Sequence, residues 1–288
     1  MIKMFASDLD GTLLNYFHQA DCVVRAAVRE VVSSGAHVVL ATGRPVRSGA
    51  DQGFGDIPLE VVGSNGAIIR DSHGALLKAF TIDKAVAEDL VRAFPRLIFE
   101  CIAPDGAYIT GSEDAWLASF TGKSALDRLA MKHRNRKRVK AGTGMRFDQT
   151  MAQVLERDIC KFNVRTPDEG LGRELSAYLA ERSDALVNAP FKPVMFEISR
   201  ADVNKGAALA WLAAYLGISE DEVAVYGDGG NDIAMLDRFA HAYAPSNADD
   251  MAKRAAGTVI GSNVAYAVPR HMVRTVRRQR GYYSIADR

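Results

Sequence analysis

Asp8 and Asp10 are the two residues whose types and spacing most clearly indicate chemistry. They follow a short apolar run at residues 4–6, which is typical of a buried strand, and Gly11 and Thr12 break the pattern just after them. Because alternate side chains of a strand share a face, both carboxylates could point into one space. Two carboxylates so close repel each other unless a cation or a shared proton lies between them. The spacing therefore favours a divalent metal together with a phosphate substrate.

Further polar clusters follow the predicted strands at residues 38–41, 60–62 and 223–226. Ligands of an open parallel sheet bind beyond the carboxyl ends of its strands, so clusters from separate strands converge there. The pattern predicts a single site at one edge of a sheet. Besides Asp8 and Asp10, its members are Thr42, Gly43, Arg44, Asn65, Gly66, Asp228, Asn231 and Asp232.

The residue types in these clusters fit phosphoryl transfer. Ligands that offer only oxygen select a hard cation, and Mg²⁺ with phosphate is the common pairing. Asp8 could attack phosphorus and become an aspartyl phosphate, whereas Asp10 could protonate the leaving alkoxide and later activate water. The hydroxyl of Thr42 and the backbone of Gly43 could hold phosphate oxygens, and Asn231 could donate a further hydrogen bond.

Lys205 gives an independent physical indication. It opens a predicted helix at residues 205–216, where a cation opposes the helix dipole at a cost of roughly 0.3–1 kcal/mol. Near carboxylates and a phosphate the same position becomes favourable, because a cation stabilises the charge of the transition state. Alone, Lys205 would be a surface charge, Asp10-Gly11 a turn and Thr42 a helix cap. Their combination in this order favours a site.

Strand and helix patterns alternate in the first 80 residues and return after residue 199, which predicts a parallel sheet with right-handed crossovers. The segment between them mixes helices with short strands separated by turns. We therefore predict an α/β fold: a Rossmann-like parallel-sheet core at residues 1–82 and 199–288, and an inserted α+β domain at residues 83–198.

The composition is that of a globular protein with a core: 288 residues, 48% hydrophobic and 25% charged, with a net charge of +1. We expect neither nucleic acid nor a membrane as a partner, since no global positive field and no apolar run of roughly 20 residues exist. The basic run at residues 128–140 is interpreted as a solvated face. Cys22, Cys101 and Cys160 are predicted to be buried or half-buried free thiols. Without a signal peptide pattern, we expect a cytoplasmic protein.

Four segments resemble the motifs of the haloacid dehalogenase superfamily, and more closely its Cof-type phosphatases. The segments are Asp8-Leu9-Asp10-Gly11-Thr12-Leu13, Ala41-Thr42-Gly43-Arg44, Asn204-Lys205-Gly206 and Gly227-Asp228-Gly229-Gly230-Asn231-Asp232. The resemblance implies a hinged cap, Asp8 as nucleophile and Asp10 as acid and base. It also implies Mg²⁺ on the Asp8 carboxylate, the Asp10 carbonyl and Asp228, with Asp232 supporting these ligands. Phosphate would meet the Leu9 amide, Thr42, Gly43, Lys205 and Asn231.

The leading hypothesis is a Mg²⁺-dependent phosphatase of small phosphorylated metabolites, with sugar phosphates, flavin mononucleotide and pyridoxal phosphate all open as substrates. A sugar phosphomutase with the same site and a non-catalytic phosphoester-binding regulator are the alternatives. Arg44 could contact substrate or pair with an acid of the site. His18 and Tyr16 could line the entrance, although packing or exposure is the simpler interpretation of each. We expect a monomer or a homodimer.

Overall fold

The computed structural model describes residues 1–120, 124–126, 129–133, 144–189 and 195–281. Positions 128 and 134–140 of the basic run lie outside the described residues, as do positions 282–288.

Strands and helices alternate along most of the chain. The strands are β1 (Met4–Ser7), β2 (His37–Ala41), β3 (Glu60–Gly63), β4 (Ile68–Arg70), β5 (Leu76–Ala79), β6 (Phe99–Ala103), β7 (Gly106–Ile109), β8 (Met145–Arg146), β9 (Lys161–Arg165), β10 (Leu186–Asn188), β11 (Met195–Arg200), β12 (Val223–Tyr226), β13 (His241–Pro245) and β14 (Val259–Ile260). The described helices are α1 (Cys22–Ser33), α2 (Lys84–Ala93), α3 (Glu113–Ala118), α4 (Met151–Leu155), α5 (Glu169–Ala180), α6 (Lys205–Tyr215), α7 (Ile233–Arg238), α8 (Asp250–Ala256) and α9 (Ala267–Gln279).

The chain divides into two compact units. Unit 1 comprises Met1–Lys78 and Asn204–Arg288, and unit 2 comprises Ala79–Val203. The sheet of unit 1 has the order β14-β13-β12-β1-β2-β3-β4-β5, in which the neighbours from β14 to β3 are parallel. This topology confirms the predicted α/β class with a Rossmann-like core. The predicted domain boundaries at 82/83 and 198/199 stay a prediction.

Apolar stripes on two helices build one layer of the unit 1 core. Helix α1 starts at Asp21, whose side chain accepts hydrogen bonds from the amides of Val23 and Val24. Its buried Val24 and Val28 recur at helical spacing and belong to the same cluster as Phe5 of β1. Helix α9 adds buried side chains at a spacing of four residues: Val268, Met272 and Val276. These two helices therefore cover the face of the sheet that carries Phe5.

Unit 2 is built on a second sheet, with the order β10-β11-β9-β6-β7-β8. Its neighbours are antiparallel except for β7 and β8, which explains the short, turn-rich pattern of this segment. Trp116 and Phe120 make an edge-to-face contact with centroids 4.8 Å apart, and Trp116 is buried beside Ile109. Trp116 therefore belongs to a small apolar cluster of unit 2, and the partly buried Phe120 packs against it.

Two expectations about single residues differ from the structure. Cys101 and Cys160 are buried free thiols, but Cys22 is exposed at the first turn of α1. The chain also leaves the strand at Ser7, so Leu9–Leu13 form a tight turn in which Gly11 has a φ of +81°. Alternation along a strand therefore does not govern the directions of Asp8 and Asp10. Among the described residues, no helix has the length and hydropathy that a membrane crossing requires.

Candidate active site

Four neighbouring strands of unit 1 end at the same edge of its sheet, and each is followed by polar residues. The strands β12, β1, β2 and β3 are adjacent and parallel. Their last residues directly precede Gly227-Asp228, Asp8, Thr42 and Ser64-Asn65, respectively. Parallel strands present their carboxyl ends together. Residues separated by more than two hundred positions therefore meet in one place.

An acidic group forms the centre of this edge. Carboxylate oxygens of Asp8, Asp228 and Asp232 all lie within 4.8 Å of one another. The hydroxyl of Thr12 donates a 2.7 Å hydrogen bond to Oδ1 of Asp228. Asp10 is not part of the group, because the tight turn directs its carboxylate elsewhere. The expected pairing of the Asp8 and Asp10 carboxylates is thus replaced by a group of three that excludes Asp10.

Lys205 is buried inside this acidic group. Its Nζ donates to Oδ1 of Asp8 and to Oδ1 of Asp232, each over 2.7 Å, and its side chain has no exposed surface. The residue opens α6, and the side chain of the preceding Asn204 caps that helix by accepting from the Ala207 amide. A lysine here would be costly without partners. The two carboxylates supply them and fix the ammonium group between two strand ends.

One ammonium for three carboxylates leaves the group rich in negative charge. Burial raises the pKa of Asp8 to about 7, against the opposing charge of Lys205. Burial also raises the pKa of Asp228 to about 6, with a further contribution from the charge of Asp232. Burial by itself would lower the pKa of Lys205, but the charges of Asp232 and Asp8 raise it above its usual value. Lys205 therefore stays protonated, whereas Asp8 and Asp228 ionise less readily than ordinary carboxyls.

The free oxygens of the group define where a cation fits. Both oxygens of Asp232 are used, because Oδ1 accepts from Lys205 and Oδ2 accepts from the amides of Asp228 and Gly229 at 2.9 and 3.0 Å. In the described part of the chain, Oδ2 of Asp8 and Oδ2 of Asp228 accept no hydrogen bond. These oxygens suit a hard divalent cation, and Asp232 acts through its hydrogen bonds.

Gly11 keeps the space beside Asp228 open. A Cβ at position 11 would lie 2.2 Å from Oδ2 of Asp228, and the φ of +81° itself favours glycine. Any side chain at this position would push the carboxylate out of the acidic group. The donor set and this cradle together fit a small cation bound by oxygen.

The second and third strand ends form a hydrogen-bonded rim around the acidic group. The buried Thr42 accepts from the Arg44 amide through Oγ1 at 3.1 Å and from the Asn65 amide through its carbonyl at 3.0 Å. Nδ2 of Asn231 donates to Oδ1 of Asn65 at 3.1 Å. Gly43 is part-exposed between Thr42 and Arg44. The rim joins three of the predicted phosphate-contacting positions, namely Thr42, Gly43 and Asn231.

Leu9, the fourth predicted phosphate contact, follows Asp8 directly. Its side chain is fully buried in the unit 1 core, and its carbonyl accepts from the Leu14 amide at 2.9 Å. The core therefore anchors the turn by its leucine side chain. This anchoring leaves only the backbone of Leu9 to act in the site.

Asp10 has two partners of its own. The guanidinium of Arg44 donates to Oδ1 of Asp10, and Nδ1 of His18 lies 2.7 Å from the same oxygen. Arg44 is in turn held by Oε1 of Gln52 at 2.6 Å. Of the two interpretations of Arg44, the structure thus contains the pairing with an acid of the site. The contact of His18 was missed, because a single histidine in a loop carries no sequence signal of its partner.

Comparisons with known proteins agree on one family. A family model described as haloacid dehalogenase-like hydrolase matches residues 5–272. The chain is 29% identical over 286 residues to phosphatase YwpJ of Bacillus subtilis strain 168, covering 95% of this chain and 99% of that protein. It is 23% identical over 266 residues to 5-amino-6-(5-phospho-D-ribitylamino)uracil phosphatase YcsE of the same organism, covering 91% of each. A solved structure of a haloacid dehalogenase-like hydrolase from B. subtilis matches with a TM-score of 0.77 and 26% identity, covering 94% of this chain and 99% of that one.

Proposed function

The chain belongs to the haloacid dehalogenase-like hydrolases, and from that premise we propose that it is a Mg²⁺-dependent phosphatase of small phosphorylated metabolites. One observation carries the proposal: Lys205 ties Asp8 to Asp232, while Asp8 and Asp228 each keep a free oxygen beside the other. This is a nucleophile with a cation site and a fixed positive charge next to it. Such an arrangement serves phosphoryl transfer, where positioning and charge neutralisation provide most of the rate.

Three groups would hold the metal: the free oxygens of Asp8 and Asp228, and the backbone carbonyl of Asp10. When bound, Mg²⁺ would supply positive charge to the phosphate and neutralise the carboxylates that face it. Thr12 would keep Asp228 in place through its 2.7 Å hydrogen bond, and Asp232 would keep the turn after β12 in place through its two amide contacts. The donors are all oxygens, which supports Mg²⁺ over a softer metal.

The reaction would begin at Asp8. Its carboxylate oxygen would attack phosphorus while the bond to the leaving oxygen breaks, forming an aspartyl phosphate. Lys205 would stabilise the charge that develops on the phosphoryl oxygens, because its ammonium group is already positioned and free of water. The Leu9 amide, Thr42, Gly43 and Asn231 would bind those oxygens, and Asn65 would orient Asn231. Asp10 would donate a proton to the leaving oxygen and later take one from the attacking water.

The substrate class rests on the family and on the site. One relative is named for a phosphorylated ribitylaminouracil, and we propose that this chain likewise acts on phosphomonoesters of small metabolites. The inserted domain predicted at residues 83–198 would act as a cap that selects the substrate and excludes water. A cytoplasmic location and a monomeric or homodimeric state belong to the same proposal.

Turnover of p-nitrophenyl phosphate tests the function directly. We expect hydrolysis with Mg²⁺, loss of hydrolysis with EDTA and recovery when Mg²⁺ is added in excess. Hydrolysis that persists in EDTA would contradict the metal dependence. Tight binding of phosphoesters without product would favour a regulator, and isomerised sugar phosphate with a bisphosphate requirement would favour a mutase. A screen of phosphorylated metabolites on the same preparation would then identify the substrate.

Metal binding should stabilise the protein more at high pH than at low pH. The folded metal-free protein holds protons on Asp8 and Asp228, whose pKa values burial raises to about 7 and about 6 from the usual 3.8. These bound protons stabilise the folded protein. Their contribution is fully present below the pKa of the unfolded chain and is lost as the pH rises through the pKa values of the folded state. Mg²⁺ competes with those protons. At a hundredfold excess over Kd near pH 8, we expect Tm to rise by roughly 5 °C, and by much less near pH 5.

Thermal melts with and without Mg²⁺ at the two pH values measure this difference. Asp228→Asn should remove most of the rise in Tm caused by Mg²⁺ at both pH values, because it replaces one of the charged ligands. An equal Mg²⁺ shift near pH 5 and near pH 8 would show that the metal binds away from these carboxyls.

A further inference from the structure

The two partners of Asp10 bind the same oxygen. Nδ1 of His18 lies 2.7 Å from Oδ1, and the guanidinium of Arg44 donates to Oδ1 as well. Oδ2 of Asp10 accepts no hydrogen bond from any residue that the structure describes. One oxygen of this carboxyl group is therefore fixed by two side chains, and the other is left for a reacting partner.

A short turn built around Asn15 determines where His18 points. Oδ1 of Asn15 accepts from the amides of Phe17 and Gln19 at 2.9 and 3.1 Å, and its carbonyl accepts from the His18 amide at 2.9 Å. Nδ2 of Asn15 donates to Asp21, the residue that caps α1. His18 itself has a φ of +57°, a conformation that is uncommon outside glycine, although asparagine, aspartate and histidine adopt it more often than other residues do. The turn holds the histidine in this conformation, which brings its ring to Asp10.

The contact contributes little to folding, which leaves orientation as its physical effect. The side chain of His18 is 64% exposed and that of Asp10 is 36% exposed, and contacts between exposed groups add little to stability in water. A carboxyl group on a surface turn would otherwise rotate about its terminal bond. Two hydrogen bonds to one oxygen stop that rotation.

We propose that His18 is a positioning residue that, together with Arg44, orients the proton of Asp10 toward the leaving oxygen of the substrate. The inference rests on the proposed function. As a carboxylate oxygen of Asp8 bonds to phosphorus, the bond from phosphorus to the leaving oxygen breaks and its electron pair stays on that oxygen. The proton on Oδ2 of Asp10 moves to this oxygen and gives a neutral alcohol. The negative charge left on Asp10 is met at Oδ1 by His18 and Arg44.

Substrates that differ only in the basicity of the leaving oxygen provide the test. p-Nitrophenolate leaves with little need of a proton, whereas phenolate from phenyl phosphate needs one far more. A positioned acid is worth roughly 10²–10⁴-fold in rate, and misorienting it should remove part of that factor, far more for phenyl phosphate than for p-nitrophenyl phosphate. The experiment measures kcat/KM for both substrates with Mg²⁺ in the full-length protein.

Two variants separate the side chain of His18 from its backbone conformation. His18→Gly tolerates the positive φ and removes the ring, and we expect it to lower kcat/KM for phenyl phosphate by about tenfold and for p-nitrophenyl phosphate by less than about threefold. His18→Asn tolerates the same φ and returns an N–H donor near the position of Nδ1, so it should recover most of the loss. Asp56→Asn, whose side chain is 88% exposed and pairs with Arg29, should leave both rates unchanged.

An equal loss on both substrates in His18→Gly, or no loss on either, would overturn the positioning role. A lack of recovery in His18→Asn would count against the hydrogen bond as its cause. Asp10→Asn tests the premise that Asp10 is the acid, separately from the positioning role of His18. It should lower phenyl phosphate turnover even more than His18→Gly does. If the unsubstituted protein hydrolyses neither substrate, the proposed function fails. If it hydrolyses both substrates but Asp10→Asn lowers the two kcat/KM values equally, Asp10 is not the acid, and the positioning role of His18 fails with it.

Discussion

Replacing Asp8 with asparagine should lower kcat for p-nitrophenyl phosphate by roughly 10⁴-fold or more, the range typical of a lost nucleophile. The amide has almost the same shape as the carboxylate and still accepts a hydrogen bond from Lys205, but it cannot attack phosphorus. Folding should not suffer. Because burial raises the pKa of Asp8 from the usual 3.8 to about 7, ionising this carboxyl near pH 8 costs folding free energy, and a neutral amide avoids that cost. Asp8→Asn should therefore be at least as stable as the unsubstituted protein when both are free of metal.

Asp56→Asn is the matched control for this substitution. The side chain of Asp56 is 88% exposed and pairs only with Arg29 among its described contacts, so turnover should remain unchanged. Mass spectrometry after an acid quench adds a second readout, since the unsubstituted protein should carry one phosphoryl group and Asp8→Asn none. An Asp8→Asn variant that keeps a tenth of the normal kcat would exclude Asp8 as the nucleophile.

Lys205→Met should produce the largest loss of stability among single substitutions in the site. Methionine fills a similar volume but leaves Asp8 and Asp232 buried with no cation between them. Removing one partner of a buried ion pair costs about 3–5 kcal/mol. The cost should be greater near pH 8 than near pH 5, because burial raises the pKa of Asp8 and protonation relieves the repulsion. The value of kcat/KM should also fall by roughly 10²–10³-fold, because a positioned cation has been lost.

Urea unfolding of the metal-free protein measures the stability effect, and Lys253→Met is its control. Lys253 lies on α8 with its Nζ 4.0 Å from Asp250, and 31% of its side chain is exposed. An exposed pair of this kind contributes about 0–1 kcal/mol. If Lys205→Met and Lys253→Met unfold at the same urea concentration, the ammonium group of Lys205 does not balance the acidic group.

The location of the site at one edge of the sheet could be predicted, because the strand patterns that indicate it are local in the sequence. Each strand of unit 1 that carries the site has four or five mostly apolar residues and is followed by polar residues, and parallel strands bring those ends together. Asp8, Thr42 and Asp228 could be assigned to one edge in this way. The family confirms the fold class, whereas the catalytic roles stay predictions that the substitutions above test.

The directions of the side chains were not predictable. Asp10 was expected to face the same space as Asp8, but the turn at Gly11 separates them, and this depends on a φ of +81° that the sequence does not specify. Arg44 had two plausible partners, and its pairing with Asp10 depends on three-dimensional packing that the sequence does not specify. His18 reaches Asp10 through a positive φ imposed by contacts of Asn15, which no spacing rule encodes.

The shortage of positive charge around Lys205 has a consequence for the order in which ligands arrive. When all three carboxyls are ionised, the acidic group has a surplus of two negative charges, and a phosphoester dianion approaching it would be repelled. If the divalent cation of the proposed function cancels that surplus, we expect it to enter before the phosphoester. We expect orthovanadate, a mimic of phosphate, to bind in calorimetry only after Mg²⁺ is added, and binding to metal-free protein would refute this sequence of events. Magnesium depletion would then silence the enzyme by keeping its substrate out.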